Sequence, residues 1–166
     1  MMKTALKFIL PMLVIIAGAV FWLKSPPSAQ MPEHSFKTID GEAKQLSDYA
    51  GKPLLVIFWA TDCPGCIAEM PELVELHEKY ADLGMLGIAL AHDTPEQIKA
   101  MREAKALPYT LTWDADNSLS QAFRSVRVTP THFLIDANGE IVMRKIGELD
   151  FQSLEARLNR MGLSPT

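Results

Sequence analysis

The chain has 166 residues, of which 48% are hydrophobic and 22% charged, and its formal net charge is −4. This length suffices for one domain with a sizeable core and an appendage. The acidic balance, with no clustered Lys/Arg run, argues against a nucleic-acid-binding protein. The two cysteines, Cys63 and Cys66, close too short a loop to stabilise a fold as a staple. Their predicted role is therefore chemical.

The first 24 residues form a separate unit. Lys3 and Lys7 precede an uncharged, apolar run of sixteen residues at positions 8–23. A bilayer span needs roughly 17–25 residues, but Lys7 can snorkel and Trp22 can sit at the interface. The positive charge before the run favours an internal amino terminus. Residues 1–24 are therefore predicted to be a signal anchor, that is, a transmembrane helix.

A cleaved signal peptide is the alternative interpretation of this segment. Small residues at positions 17–19 fit a cleavage site, although cleavage there would leave an apolar new terminus. Either interpretation exports the rest of the chain. Residues 25–32 are predicted to be a Pro-rich, uncharged linker, and residues 33–166 the globular domain.

The globular part alternates strand and helix patterns. Segments 35–39 and 42–46 flank Asp40-Gly41 and predict a small hairpin. The continuously apolar run Leu54–Trp59 predicts a strand buried on both faces, followed by a helix after Cys63. Further elements are predicted as a strand at 85–91, a helix opened by Thr94-Pro95, an extended piece at 109–113, a short helix at 118–123, strands at 131–136 and 140–145 about Asn138-Gly139, and a last helix capped by Asp150 and ended by Gly162. This order predicts an α/β fold on a mixed sheet.

The central segment runs from Phe58 to Cys66 and places Cys63 where the buried strand ends and the helix begins. A thiol at a helix N-terminus meets unpaired backbone N–H groups and the positive end of the helix dipole, and both favour the thiolate. Cys66, one turn further on, lies close enough to attack a mixed disulfide formed at Cys63. The segment is predicted to be a redox switch.

The motifs in and around this switch resemble the membrane-anchored bacterial disulfide reductases of the TlpA/ResA type. These have the thioredoxin fold and include the cytochrome c maturation thioredoxins. The resemblance rests on Trp59-Ala60-x-x-Cys63-x-x-Cys66, on Glu69-Met70-Pro71, and on Val128-Thr129-Pro130-Thr131 followed by Phe133-Leu134-Ile135-Asp136. It implies that residues 33–166 form a thioredoxin-like domain with a central mixed β-sheet flanked by helices and an N-terminal β-hairpin extension.

The resemblance also implies catalytic roles. Cys63 would be the nucleophile and Cys66 the thiol that resolves the mixed disulfide. Glu69 matches a glutamate thought to assist proton movement, although as an isolated helix residue it could equally be a solvated charge. Ile57 stands where cytosolic thioredoxins carry a buried Asp that moves protons for the resolving cysteine.

Substrate-contacting positions implied by the resemblance are Trp59, Pro64, Gly65, Thr129 and Pro130. Pro130 matches a cis-proline beside the active-site cysteines and has no N–H, so Thr129 can offer its backbone to an incoming peptide. The pair Pro64-Gly65 reverses the Gly-Pro of thioredoxin. Because this pair helps to set the reduction potential, which spans about −270 to −120 mV in the fold, the direction of exchange stays open on chemistry alone.

The function implied is a membrane-tethered thiol:disulfide oxidoreductase on the periplasmic or extracytoplasmic side of a bacterial inner membrane. It would mainly reduce disulfides of exported proteins, with apocytochrome c as one candidate substrate. After each reaction the Cys63–Cys66 disulfide must be reduced again, and the resemblance implies a membrane electron donor of the DsbD/CcdA type for this step. No cofactor beyond the redox-active Cys63–Cys66 disulfide and no metal is expected.

Two alternative functions stay open. One is a disulfide-forming oxidase, and the other is a metal or copper-stress binding protein that uses the same thiols as ligands. A zinc site lacks support because the chain has no second Cys pair and its histidines lack ligand spacing. Covalent haem attachment is excluded, since Ile67 rather than His follows the second cysteine.

Overall fold

The structure is a computed structural model that describes residues 29–166. The predicted signal anchor, residues 1–24, lies outside the described residues, as do residues 25–28 of the predicted linker. Within residues 29–166, none of the helices combines the length and the hydrophobicity that a membrane span requires.

Strands and helices alternate along the described chain much as the hydrophobic pattern predicts. The elements are β1 (Ser35–Lys37), β2 (Ala43–Gln45), a 3-10 helix (Leu46–Tyr49), β3 (Leu54–Trp59), α1 (Pro64–Lys79), β4 (Gly84–Ala89), α2 (Pro95–Lys105), β5 (Thr110–Trp113), α3 (Ser118–Ala122), β6 (Thr131–Ile135), β7 (Ile141–Ile146) and α4 (Phe151–Arg160).

The main sheet has five strands in the order β5-β4-β3-β6-β7, with β3 at its centre. Strand β3 runs parallel to β4, and β4 runs parallel to β5. Strand β6 runs antiparallel to both β3 and β7. The predicted mixed sheet is confirmed, and its central strand is the one that leads into Cys63.

Both faces of the sheet are covered, which explains why β3 is apolar at every position. Alternate residues, such as Leu55 and Ile57, pack with α1 and α4 in one core. The residues between them, such as Val56 and Phe58, pack with α3 and the 3-10 helix in a second core. Successive side chains of a strand point to opposite faces, so two covered faces require a continuous apolar run.

Strands β1 and β2 pair antiparallel in a small separate sheet. Gly41 lies in the turn between them with φ +89°, a left-handed conformation that glycine adopts without strain. The pair is attached to the edge strand β5, because the Ile39 N–H donates to the Leu111 carbonyl at 2.8 Å and Thr38 bridges to Thr112.

Backbone pairing extends into the residues before β1. The Ile141 N–H donates to the Ala29 carbonyl, and the Met31 N–H donates to the Gly139 carbonyl. Residues 29–31 thus pair with residues 139–141, at the start of β7. The physical reason is that an extended segment can pair with the unpaired backbone groups of an edge strand.

Helix termini follow the predicted caps. Thr94 accepts from the Gln97 N–H in a complete capping box, with Pro95 as the first helical residue. Asp150 accepts from the Ser153 N–H at the start of α4. Helix α1 continues through Pro71 to Lys79.

Candidate active site

Cys63 and Cys66 lie at the start of α1, directly after the central strand. Cys63 is the N-cap residue with extended backbone, and Pro64 opens the helix. A disulfide joins the two cysteines across a Cα–Cα distance of 5.3 Å, and the Cys66 N–H donates to Cys63 Sγ at 3.2 Å. Cys63 is 9% exposed and Cys66 1%. Cys63 is therefore the more accessible of the two residues, and its sulfur faces an N–H group of the first helical turn.

The turn that leads into Cys63 is anchored from the loop after β4. Buried Asp93 accepts from the Thr61 N–H, with both oxygens at 3.2 Å, and from the Thr61 hydroxyl at 2.5 Å. Asp62, next to Cys63, contacts His92 at 3.1 Å, and both of these side chains are more than half exposed. The charge of Asp62 is thus directed to solvent rather than toward the thiols.

Thr129 and Pro130 lie against the dipeptide between the cysteines. The peptide bond joining them is cis, and Pro130 is buried. A Cβ built on Gly65 would lie 3.6 Å from Pro130 Cδ and 3.2 Å from Glu148 Oε1. The fold therefore brings Pro64 and Gly65 together with the Pro130 loop and adds Glu148 as an acidic neighbour.

Trp59 lies beneath this surface. Its side chain is 3% exposed and belongs to the core between the sheet and α1. The indole Nε1 has no hydrogen-bond partner, and a Cβ built on Gly87 would lie 3.2 Å from it. In this position the indole supports the site by packing, because so little of it reaches the surface that a substrate would touch.

Glu69 is 3% exposed, one turn beyond Cys66 on α1. Its Oε1 lies 2.7 Å from Nε2 of His132, whose side chain is fully buried. Its Oε2 accepts from the Leu149 N–H at 3.4 Å. The carboxyl group thus joins three elements: α1, β6 and the loop between β7 and α4. It is not a solvated helix charge.

His132 is a residue that no motif singled out as part of this site. It stands two residues after Pro130 and pairs in register with Ile57 of β3. A signal was present in the sequence, because a histidine in the apolar run Thr131–Ile135 must occupy one of two buried faces. The face it occupies depends on strand register, which the sequence pattern alone leaves undetermined.

Tyr109 completes the polar groups around Glu69. Burial raises the pKa of Tyr109 well above its usual value, and the charge of Glu69 adds to this rise. The phenol is therefore neutral at physiological pH. His77, half-buried on α1, packs edge-on against Tyr109 with ring centroids 6.3 Å apart.

The described residues contain no candidate metal site. Across residues 29–166, no three His, Cys, Asp or Glu side chains group in a way that could hold a metal ion.

Two large apolar side chains near the Pro130 loop are exposed. Val128 is 51% exposed and Ile146 is 55% exposed. Ile146 pairs in register with Thr131, and the following residue, Gly147, donates its N–H to the Pro130 carbonyl at 2.9 Å. We call Val128, Ile146 and the exposed edge of Pro64 the apolar rim of the site.

Comparisons with known proteins agree with this arrangement. The AhpC/TSA family matches residues 27–144. The thiol-disulfide oxidoreductase ResA of Bacillus cereus is 32% identical over 172 residues, which cover 97% of this chain and 99% of that protein. The thioredoxin-like protein YneN of Bacillus subtilis is 33% identical and covers 78% of this chain and 77% of its own length.

Solved structures share the fold. A thiol:disulfide interchange protein of the thioredoxin family from Chlorobium tepidum superimposes with a TM-score of 0.74 at 24% identity, covering 82% of this chain and 98% of that one. An accessible sulfur at a helix N-terminus, a second sulfur one turn inside and a proline loop beside them can perform thiol–disulfide exchange.

Proposed function

The chain belongs to the AhpC/TSA family and is a thiol-disulfide oxidoreductase of the ResA type, and from this premise we propose that it works mainly as a reductase of disulfides in exported proteins. The observation that carries the exchange chemistry is the unequal burial of the two cysteines, while the proposed reducing direction rests on the resemblance to the ResA-type reductases. Cys63 is 9% exposed and is the cysteine that a partner can reach first, whereas Cys66 is 1% exposed. In this arrangement Cys63 can attack the disulfide of a partner protein, and Cys66 can then attack Cys63 to form the internal disulfide.

The reaction begins with the reduced protein. The Cys63 thiolate attacks one sulfur of the substrate disulfide, forms a mixed disulfide and releases the first substrate thiolate. Cys66 then loses its proton and attacks Cys63 Sγ, which releases the second substrate thiolate and leaves the Cys63–Cys66 disulfide. The two substrate thiolates take up two protons, so the dithiol of the protein is exchanged for a dithiol of the substrate. Glu69 is the proposed acceptor for the Cys66 proton.

The substrate is proposed to lie across the apolar rim. An extended segment there would contact Val128 and Ile146, and the backbone of Thr129 would be available to it. Burial of exposed apolar side chains favours association. Glu148, exposed over Gly65, would favour a substrate segment that is not itself strongly acidic.

Residues 1–24 are proposed to tether the domain to a bacterial inner membrane with the active site on the periplasmic or extracytoplasmic side. The support is the charge and hydropathy pattern of that segment. The oxidised protein must be recharged after each cycle, and a membrane electron donor of the DsbD/CcdA type is proposed for this step. Cytochrome c biogenesis, with apocytochrome c as the substrate, is one process in which such a reductase would act.

Trapping of mixed disulfides tests the proposal in cells. The full-length Cys66→Ser variant lacks the resolving thiol, so substrate proteins are expected to accumulate on Cys63 as adducts that dithiothreitol releases. The matched control is the variant in which both cysteines are serine. A further substitution, Ile146→Asp in the Cys66→Ser background, is expected to lower the yield of adducts. An absence of adducts in the Cys66→Ser strain would refute the exchange mechanism.

A further inference from the structure

We propose that His132 is a positioning residue for thiol exchange: its imidazole holds the Glu69 carboxylate in the ionised form, ready to accept the proton of Cys66. The inference rests on the proposed function, in which Cys66 resolves the mixed disulfide. It extends that function to a buried side chain on β6, a different element from the one that carries the cysteines.

Hydrogen bonding indicates which group carries the charge. Glu69 Oε1 lies 2.7 Å from His132 Nε2, and Glu69 Oε2 faces the Leu149 N–H at 3.4 Å. Oε2 thus has a fixed N–H donor in reach, and Oε1 has one when Nε2 of His132 carries a proton. An ionised carboxylate can accept at both oxygens, whereas a protonated carboxyl group must donate from one of them.

The other ring nitrogen supports the same assignment. His132 Nδ1 is buried and has no hydrogen-bond partner. A doubly protonated imidazole, or the neutral tautomer with its proton on Nδ1, would place an N–H there without an acceptor, and buried unpaired donors are costly. The network therefore assigns the neutral tautomer with the proton on Nε2, which donates to the Glu69 carboxylate.

The Glu69 carboxylate is the proton acceptor nearest in sequence to Cys66, because it lies one turn away on the same helix. The other titratable groups around it are less suited to this role. Tyr109, which precedes β5, is a neutral phenol because burial raises its pKa. Lys145, in register with His132 on β7, and Glu148, in the loop before α4, are exposed to solvent. His77 lies two further turns along α1 against Tyr109.

The proton moves once in each cycle. In the mixed disulfide, the Cys66 thiol gives its proton to Glu69, and the resulting thiolate attacks Cys63 Sγ. The S–S bond to the substrate breaks, and the electron pair leaves on the substrate sulfur. The protonated Glu69 then releases its proton to solvent, and His132 Nε2 again donates to the carboxylate.

The two chemical steps can be timed separately with the aromatic disulfide DTNB and the purified full-length protein in mild detergent. Attack by Cys63 releases one coloured thiolate, and resolution by Cys66 releases a second. Two variants form the matched pair. In His132→Gln the amide nitrogen extends about as far as Nε2 and can still donate to Glu69, whereas in His132→Asn it is too short to do so. Leu134→Val, in the same strand and on the same face, controls for loss of stability alone.

We expect His132→Asn to slow the second release by a factor of at most about 10 to 100, because one hydrogen bond to a charged group sets that upper limit. The pH midpoint of that release should move upward, while the first release stays within about 2-fold of wild type. His132→Gln should restore most of the rate, and Leu134→Val should lower the melting temperature without moving the pH profile. In a Glu69→Gln background, His132→Asn should have little further effect.

A wild-type rate and pH profile in His132→Asn would overturn the inference. So would equal slowing in the Asn and Gln variants, or a full additional effect of His132→Asn in the Glu69→Gln background. The proposed function fails in a distinguishable way: the wild-type protein itself would then release a single thiolate, without resolution by Cys66.

Discussion

Asp93 is expected to hold the active-site turn in place, and Asp93→Ala is the perturbation that tests this most sharply. The carboxylate is 3% exposed and accepts from two donors of Thr61, its N–H and its hydroxyl. A hydrogen bond to a charged group contributes roughly 1.5–3 kcal/mol. Thr61 is half-buried, so water replaces part of the loss. The expected fall in the free energy of unfolding is about 2–4 kcal/mol.

The assay is urea unfolding of the reduced fragment 29–166, with the rate of Cys63 alkylation measured on the same samples. Asp93→Asn keeps one acceptor oxygen and is expected to lose about half as much stability as Asp93→Ala. Alkylation of Cys63 should slow several-fold in Asp93→Ala, because a loosened turn no longer holds the sulfur at the helix N-terminus.

Asp62→Ala is the matched control, since Asp62 lies in the same turn but its pair with His92 is solvent-exposed. Exposed ion pairs contribute about 0–1 kcal/mol. The reasoning is refuted if Asp93→Ala unfolds within about 0.5 kcal/mol of wild type, or if Asp62→Ala is equally destabilising.

Two further substitutions test the packing and the electrostatics of the fold. A Cβ on Gly87 would lie 2.6 Å from Leu111 Cδ2, so Gly87→Ala is expected to lower the free energy of unfolding by about 1–3 kcal/mol in urea titrations; an unchanged midpoint would contradict this. The side-chain hydrogen bond from Ser153 lowers the pKa of Asp150 in the folded protein. The stabilisation is therefore present above the unfolded pKa and lost as pH falls through the folded one, so the stability difference between wild type and Asp150→Asn should shrink in acid. A difference that grows on acidification would be inconsistent with the cap.

The elements around the cysteines could be predicted because their signals are local. The apolar run Leu54–Trp59 and the helical spacing after it fix where the strand ends and the helix starts. The N-cap position of Cys63 follows from that boundary alone. The capping residues of α2 and α4 could likewise be predicted, because an N-cap residue directly precedes its helix in the sequence.

The polar contacts beneath the site could not be predicted, because they join residues far apart in the chain. Glu69 and His132 are separated by 63 positions, and their meeting depends on the register of β6 against β3. Thr61 and Asp93 are 32 positions apart and meet only because β3 and β4 end at the same edge of the sheet. In both cases the residue types are visible in the sequence, but their partners are decided by tertiary packing.

The position of His132 is relevant to Ile57, where this chain differs from the cytosolic thioredoxins. The resemblance to thioredoxins places a buried acid at position 57, and this chain has an apolar residue there. The structure places His132 in register with Ile57 on the neighbouring strand, with Glu69 against it. This pair of buried ionisable groups therefore comes from β6 and α1 and not from the central strand.

The reduction potential of the Cys63–Cys66 pair tests the proposed direction of exchange most directly. It is measured by equilibrating the protein in dithiothreitol or glutathione buffers and quantifying the reduced fraction by thiol alkylation. A reductase is expected to have a value near the roughly −270 mV of thioredoxin. A value near −120 mV, typical of a strong disulfide-forming oxidant, would contradict the proposal.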